Sequence, residues 1–502
     1  MFSDVQWNNV KMPFMVTSWL VIIIIAKIIH KKSGVYRIIP ESAILLVCGL
    51  GVGAVLDWHF GVDMWLIPDL FFLYLLPPIA LEAGMTLPFR LLANNIVTIL
   101  LYAILGTLMN ITMIAGILWL FSAFFTSTVP FIDILLFATL ISAVDPVAVL
   151  CVFEEIHVNQ TLYINVFGES LLNDAVVIVL YKCISQISET SRVTGGNVDA
   201  SQIIAAVISF GYVSIVGFMF GLLAFLITAL STKVSTDIPN VQPFIVVLVP
   251  YLCYIGCEAI HVSAIISIVV CALFMKKYVE GNMTEKMQHF TKYLLKILAN
   301  NCEGIVFLFL GLSLFSRGHI WDFPFLITTI AVCLAARFVS TFLLTFLANL
   351  GRDQKIAYKD QAIIAIGGLR GAICYGLVQS IHSENPNKDM LVTTTAIIIV
   401  FTMLQGCFIK KLVKCFGVEI EEETEKTVTS KVLNRFSDDV MSGIEALVGK
   451  KGRNYLRRKL SDSNHRFLER VLMTKPTSRG EKIVQRVIEL QHLENQRRLL
   501  DV

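Results

Sequence analysis

The stretch Phe167-Gly-Glu-Ser-Leu-Leu-Asn-Asp174 decides how this chain is interpreted. It lies within an apolar run from about Thr161 to Ile187, with polar sequence on either side. Two carboxylates, Glu169 and Asp174, therefore fall where a lipid-spanning helix is most apolar. A charge at the centre of such a helix costs at least about 2.5–3.5 kcal/mol, so an acid at this depth indicates function.

The helical repeat separates the polar side chains of this stretch onto two faces. Glu169 shares a face with Asn173, and Ser170 shares a neighbouring face with Asp174. The two faces are offset by about 100° at 3.6 residues per turn. One carboxylate can face a water-filled path while the other pairs inside the protein. We predict that Asp174 carries an ion and that Glu169 is structural.

The composition predicts a polytopic α-helical membrane protein. Of 502 residues, 56% are apolar and 16% charged, against about 45–50% and 25% in soluble domains. Apolar runs of spanning length recur. Basic residues concentrate in alternate loops and in the segment after Phe416, which is a membrane signature and excludes nucleic acid as the expected partner. The 11 cysteines show no metal-ligand spacing and are expected to be buried thiols.

Hydropathy predicts about 13 spans in a membrane domain over 1–415, followed by a cytoplasmic tail over 416–502. An odd number of spans puts the N-terminus outside, and the loops rich in Lys and Arg then fall inside, as the positive-inside rule requires. The runs lie at about 13–29, 40–56, 66–84, 94–124, 131–153, 160–187, 200–231, 242–257, 259–277, 291–316, 322–350, 357–381 and 390–415.

Two of these runs are interrupted near their middles. Pro146, after Asp145, removes a helical donor from the fifth run. Gly367, Gly368 and Gly371 surround Arg370 in the twelfth. If the seventh run is a linker, both interruptions fall in the fifth helix of a six-helix set. Matching interruptions of this kind indicate inverted repeats and an ion site at the membrane midplane.

These residues permit cation exchange. Desolvation disfavours the charged form of a buried carboxylate, so Asp174 would hold either a proton or a small hard cation. Oxygen ligands for Na⁺ are available from Asp174, Asn173, Ser170 and Asp145. A site that holds one Na⁺ or one H⁺ at every crossing performs 1:1 exchange and needs no cofactor. The alternative is that Asp174 is a structural hydrogen-bond partner.

Arg370 needs a partner because a guanidinium in a span stays charged. Glu169 is the first candidate and Asp145 the second. Either pair would join the sixth span to a broken helix as a scaffold salt bridge; a direct contact between Arg370 and the ion is the other possibility.

Weaker signals lie elsewhere in the membrane domain. Glu258, His261 and Ser263 form either a cation-attracting vestibule or a satisfied polar cap before the ninth span. Glu303 is either a pathway or regulatory acid or a paired structural one. The aromatic stretch Phe71–Pro78, taken alone, indicates core packing.

Together these motifs resemble the animal sodium/proton exchangers (solute carrier 9), and the plasma-membrane branch in particular. Four ordered segments carry the resemblance: the Phe72–Pro78 stretch, Val144-Asp-Pro-Val-Ala-Val149, Phe167-Gly-Glu-Ser-Leu-Leu-Asn-Asp-Ala175 and Gly367-Gly-Leu-Arg-Gly-Ala372. The resemblance implies an NhaA-like antiporter fold with two crossed broken helices, elevator-type alternating access, a plasma-membrane homodimer and electroneutral Na⁺/H⁺ exchange.

The resemblance also implies roles for individual residues. Asp174 would be the essential carrier with Asn173 beside it and Asp145 near the site, while Glu169 and Arg370 would form an ion pair. An amiloride-type inhibitor site would include residues of the aromatic stretch, namely Phe72, Leu73, Tyr74 and Leu76.

The tail contains an amphipathic helix predicted over about 428–449. Its apolar stripe comprises Val432, Leu433, Phe436, Val440, Ile444 and Leu447, at helical spacing. Such a stripe suits a groove on a partner, and the resemblance implies a calcineurin-B-homologous EF-hand protein; without it, a membrane-surface helix fits equally. The basic cluster from Lys450 to Lys459 is either an anionic-lipid contact or a solvated face.

The sequence therefore predicts an electroneutral Na⁺/H⁺ antiporter that regulates intracellular pH and sodium, and not an enzyme. A K⁺-preferring or electrogenic cation/proton antiporter is the nearest alternative. A membrane scaffold that transports nothing and recruits an EF-hand protein is the alternative from another class.

Overall fold

A computed structural model describes most of the membrane region and parts of the tail. The described residues are 7–32, 41–60, 66–145, 149–150, 153, 158–194, 200–314, 320–352, 355–381, 385–417, 436–437, 440–441, 443–445, 447–448 and 452–474. Within these ranges the chain is helical with short connections, and Asp145 pairs with Leu369 in an isolated β-bridge. The predicted all-α membrane fold is confirmed.

The helices follow the predicted apolar runs closely. We number them α1 to α17 in chain order: Trp7–Lys32, Glu41–Phe60, Leu76–Thr86, Phe89–Leu100, Thr107–Leu120, Phe131–Ile141, Gln160–Thr194, Ala200–Val234, Gln242–Ala259, Ala264–Asn282, Glu285–Ser313, Phe323–Asn349, Tyr358–Ile366, Ala372–Gln379, Lys388–Phe416, Arg453–Ser463 and Glu469–Leu472. Two π-helical turns, Leu70–Leu75 and Leu101–Gly106, run directly into α3 and α5.

Seven helical stretches among the described residues are long and apolar enough to cross a membrane on their own. Helix α7 stands out among them because 89% of its most apolar window is buried, against 33% for the window of α8. It packs against α4, α6 and α8. The helix with the two acids is therefore enclosed by protein, and lipid contacts fall to other helices.

The two predicted interruptions meet each other. Helix α6 ends at Ile141, α13 ends at Ile366, and non-helical backbone follows each of them. The Asp145 amide donates to the Leu369 carbonyl at 2.8 Å, which forms the isolated bridge. The two broken helices therefore cross at this point, as predicted; Pro146 lies outside the described residues.

Close backbone contact joins helices α2 and α11. A Cβ atom added at Gly49 on α2 would collide with the Leu308 carbonyl of α11, and one at Gly311 would collide with the Leu46 carbonyl. Small residues at such positions let membrane helices approach closely enough for extensive van der Waals contact.

The last described segment of the tail returns to the membrane domain. The segment 464–474 lies against the ends of α8 and α10, and its Leu472 is 1% exposed. The Asn282 amide donates to the Leu472 carbonyl at 2.8 Å and accepts from the Thr474 amide, also at 2.8 Å. One buried asparagine of α10 thus satisfies backbone groups on both sides of Met473.

Charged contacts add to this docking. The Lys277 ammonium pairs with the Glu469 carboxylate at 2.5 Å, and the Glu469 side chain is 6% exposed. Lys233 of α8 donates to the Val471 carbonyl at 2.7 Å. The docked segment therefore contacts α8 and α10 together.

Replacing Asn282 with Ala is expected to loosen the docked segment. Backbone groups that lose a buried partner cost about 1–3 kcal/mol, so the purified protein should unfold at a lower temperature. Protease cleavage within 452–474 should also become faster. Lys286→Ala, at an exposed position in the first turn of α11, is the matched control; equal cleavage rates in the two variants would contradict the docking.

Candidate ion-binding site

Asp174 and Asn173 lie side by side on the enclosed helix α7. Asp174 is 8% exposed and Asn173 fully buried. Their Oδ1 atoms are both buried with no hydrogen-bond partner among the described residues. Ser170, one turn earlier, is also buried. Unpaired oxygens at this depth are costly, so they mark a place where a cation or a proton can be held.

Asp145 approaches the same place from the crossing of the broken helices. Its carboxylate lies within electrostatic range of Asp174. Its side chain also fills the space that a Cβ atom at Gly371 would need. Gly371 directly precedes α14, so the carboxylate sits at the positive end of a helix dipole.

The donors brought together are carboxylate, amide and hydroxyl oxygens. Hard cations prefer such ligands, whereas softer metals prefer sulfur and imidazole. In the part of the chain that the structure describes, no group of three or more His, Cys, Asp or Glu side chains forms a metal site. The oxygen donors suit a hard cation.

The predicted Glu169–Arg370 ion pair is wrong. Glu169 instead pairs with Arg337 of α12, whose Nη1 lies 2.5 Å from its Oε1. Both side chains are deeply buried, at 1% and 6% exposure. Arg337 stands in the middle of an apolar span, and that position is the signal by which it could have been found. A second buried cation was available, and the packing of α12 selected it.

Arg370 has a different role from the one predicted. It is 2% exposed, and its Nη1 donates to the Ala143 carbonyl at 3.3 Å. Its backbone amide donates to Thr402 Oγ1 at 3.3 Å. The guanidinium therefore covers a carbonyl group that the end of α6 leaves without a helical partner.

The two arginines act in parallel at the two broken helices. Arg370 donates to Ala143, just after α6, and Arg337 Nη2 donates to the Ile364 carbonyl at 3.4 Å, in the last turn of α13. Each half-helix thus ends against a guanidinium, and cations are stabilised at the negative end of a helix dipole. These two hydrogen bonds hold the crossing through backbone carbonyls, and Glu169 is the carboxylate that pairs with Arg337.

The weaker candidates are spread over other parts of the fold. Glu258 pairs with Lys182 at 2.5 Å. Ser263 caps α10 by accepting from the Ile266 amide. These contacts fit the polar cap better than the vestibule, and the exposed His261 has a left-handed φ of 57°. Glu303 is half-buried on α11.

The candidate inhibitor residues lie on and beside the first π-helical turn. The hydroxyl groups of Tyr254 and Tyr251 donate to the Phe72 and Leu73 carbonyls, at 2.8 and 3.1 Å. Leu76 is buried, whereas Tyr74 is 60% exposed. The inhibitor assignment stays a prediction.

In the predicted partner helix, Val432 and Leu433 lie outside the described residues, as do Lys450 and Lys451 of the basic cluster. The other four stripe residues are helical and exposed, from 43% to 89%: Phe436, Val440, Ile444 and Leu447. The apolar stripe is therefore uncovered in the described part of the tail.

Comparisons of the sequence and of the structure with known proteins both find similar proteins. A family model described as "Sodium/hydrogen exchanger, transmembrane" matches residues 20–415. The chain is 38% identical over 472 residues to probable Na⁺/H⁺ antiporter nhx-3 of Caenorhabditis elegans, covering 93% of this chain and 70% of that protein. It is 38% identical over 478 residues to sodium/hydrogen exchanger 2 of Oryctolagus cuniculus, covering 93% of this chain and 58% of that protein.

The chain thus spans little more than half the length of the rabbit relative. Among solved structures, the sodium proton antiporter MjNhaP1 of Methanocaldococcus jannaschii matches with a TM-score of 0.58 and 18% identity, covering 80% of this chain and 97% of that one. At this identity the likeness shows the fold alone.

The Glu169–Arg337 pair should appear as a coupling energy. Removing one partner of a buried pair leaves an uncompensated charge and costs about 3–5 kcal/mol. Arg337→Gln should therefore destabilise wild type strongly but the Glu169→Gln background much less. We expect no such compensation for Arg370→Gln, which serves as the matched control. Thermal unfolding of wild type, the three single variants and the two double variants measures this, and compensation by Arg370→Gln alone would reinstate the pair that the sequence predicted.

Proposed function

The chain belongs to the sodium/hydrogen exchanger family, and we propose that Asp174 is the group through which it exchanges Na⁺ for H⁺. The family consists of antiporters, so the chain is a multi-pass membrane transporter and not an enzyme. The site of exchange, its stoichiometry and its partners are our proposals.

The charge balance at the helix crossing carries this proposal. Two guanidinium groups, Arg337 and Arg370, face three carboxylates, those of Glu169, Asp145 and Asp174. Each arginine is engaged, one with Glu169 and one with a helix end. The formal charges of these five side chains sum to −1 in a low-dielectric environment, where a net charge is costly. One proton or one Na⁺ neutralises it, and both cannot bind at once.

Exchange follows because the site binds either one proton or one Na⁺. With H⁺ bound, the Asp174 carboxyl is neutral and the site can cross the membrane. With Na⁺ bound, the carboxylate and the free Oδ1 of Asn173 supply oxygen ligands, and the site is again neutral. An empty site keeps its charge and does not cross. Each cycle therefore carries one Na⁺ one way and one H⁺ the other, and the inward sodium gradient drives H⁺ out of the cell.

The location and the partners of the protein are proposed from family membership together with the exposed tail stripe. We propose a plasma-membrane homodimer with the tail in the cytoplasm. The stripe Phe436, Val440, Ile444 and Leu447 supports an EF-hand partner of the calcineurin-B-homologous type, because an uncovered apolar helix face suits a hydrophobic groove. Contact of the Lys450–Lys459 cluster with anionic lipid is a further proposal.

Asp174→Asn is expected to abolish Na⁺-dependent H⁺ efflux, because the amide can hold neither cation as a charge-neutral pair. The measurement is pH recovery in exchanger-null cells and flux in proteoliposomes, at matched protein levels. Asp389→Asn, an exposed acid at the start of α15, is the control and should transport normally. Wild-type flux should also be insensitive to membrane voltage. Full recovery in Asp174→Asn would remove this residue from the mechanism, and a voltage-dependent equilibrium would remove the 1:1 ratio.

Charging the tail stripe should prevent partner binding. Phe436→Arg and Ile444→Arg place a guanidinium in the apolar interface, so an added calcineurin-B-homologous protein should no longer co-purify. Ser437→Arg, next to Phe436 but off the stripe, is the control and should still bind. Equal co-purification of all three variants would point to another binding surface.

A further inference from the structure

A π-helical turn lies next to the candidate ion site and is unused in the mechanism above. Residues Leu101–Gly106 are π-helical, and α5 begins directly after them at Thr107. A π turn adds one residue to the helical repeat, so the face presented by the following residues is rotated. Such turns inside α-helices occur frequently at functional sites. Thr107 is the first residue whose direction this turn sets.

Thr107 is fully buried and contacts the neighbour of the carrier. Asn173 Nδ2 donates to Thr107 Oγ1 at 2.7 Å. Thr107 Oγ1 in turn donates to the Ala103 carbonyl at 2.7 Å, inside the π turn. A hydroxyl group has one proton to donate. Because that proton is donated to the Ala103 carbonyl, the Thr107 hydroxyl can only accept a hydrogen bond from Asn173.

This commitment fixes the orientation of the Asn173 amide. An amide can present either its nitrogen or its oxygen, and the hydrogen-bond network decides which. Here the nitrogen must face Thr107, so Oδ1 is turned away from it. That Oδ1 has no donor among the described residues, and neither has Oδ1 of Asp174. The free oxygen next to the carrier is thus a consequence of the hydroxyl on α5.

We propose that Thr107 is a positioning residue that keeps the oxygen of Asn173 available to the cation. Without the acceptor, the amide can rotate and turn its N–H groups towards the site. An N–H group repels Na⁺ and can donate to the Asp174 carboxylate, in competition with the ion. The inference rests on the proposed role of Asp174 and adds a specific requirement to it.

A second contact makes α5 a rigid support for this arrangement. Ser340 Oγ donates to Asn110 Oδ1 at 2.8 Å, and Asn110 is fully buried one turn after Thr107. Ser340 lies one turn after Arg337 on α12. Helix α5 is therefore joined by side-chain hydrogen bonds both to the carrier helix and to the helix that holds the partner of Glu169.

The test separates binding from turnover. Thr107→Val keeps the shape and removes the acceptor, so the Na⁺ concentration for half-maximal exchange should rise roughly five- to tenfold, the equivalent of one hydrogen bond. The maximal rate at saturating Na⁺ should change less than twofold, since the carrier is intact. Thr107→Ser keeps the hydroxyl group and should restore near wild-type Na⁺ dependence.

Thr112→Val is the matched control: the same substitution on the same helix, at an exposed threonine that bonds only to its own helix. If Thr107→Val does not reach the membrane, Thr107→Cys provides a weaker acceptor of similar size. Its Na⁺ concentration for half-maximal exchange should be higher than that of wild type and Thr107→Ser, and lower than the value expected for Thr107→Val. An unchanged Na⁺ dependence in Thr107→Val or Thr107→Cys overturns the inference, and so does a lower maximal rate with unchanged Na⁺ dependence. Asp174→Asn, measured in parallel, shows whether the proposed function has failed instead, since its full activity would refute the carrier itself.

Discussion

The whole arrangement depends on backbone that is not helical at membrane depth. Carbonyl and amide groups without helical partners are tolerated there only where protein or a water-filled cavity covers them. In this chain the two breaks cover each other through the Asp145–Leu369 hydrogen bond. Two buried guanidinium groups then cover the carbonyls at the ends of α6 and α13. The crossing is thus held by backbone groups and two arginines, and the proposed function leaves Asp174 available to bind the cation.

A rigid crossing and an adaptable carrier are complementary requirements. If Arg337 or Arg370 paired with Asp174, the guanidinium would already neutralise its carboxylate. The carboxylate would then bind a proton or Na⁺ less readily. The Glu169 pair removes one arginine from competition, and the helix end occupies the other. Burial of α7 on nearly all sides keeps water from screening the charge that remains. In the proposed function, selection between H⁺ and Na⁺ then rests on a few oxygens.

The sequence was most informative where a residue type conflicts with its surroundings. Glu169, Asp174 and the glycines around Arg370 are out of place in apolar runs, so the buried helix with two acids and the two breaks could be predicted. The partner of Glu169 could not, because two arginines were available and only tertiary packing chooses between them. The π turn at Leu101–Gly106 leaves no such mark, since its residues suit an ordinary apolar helix.

The docked tail segment has a consequence for any protein that binds the tail. The chain leaves the membrane domain at Gly417 and is fixed to it again from Asn464 onwards. The exposed helical residues around Ile444 are thus tethered to the membrane domain on both sides along the chain and cannot diffuse far from it. Attaching a segment at both of its ends raises the effective concentration of its residues near the surface to which it is attached. A partner bound to that helix would lie close to the membrane domain of the same molecule. A second contact between them would then be intramolecular, so even a weak one would form.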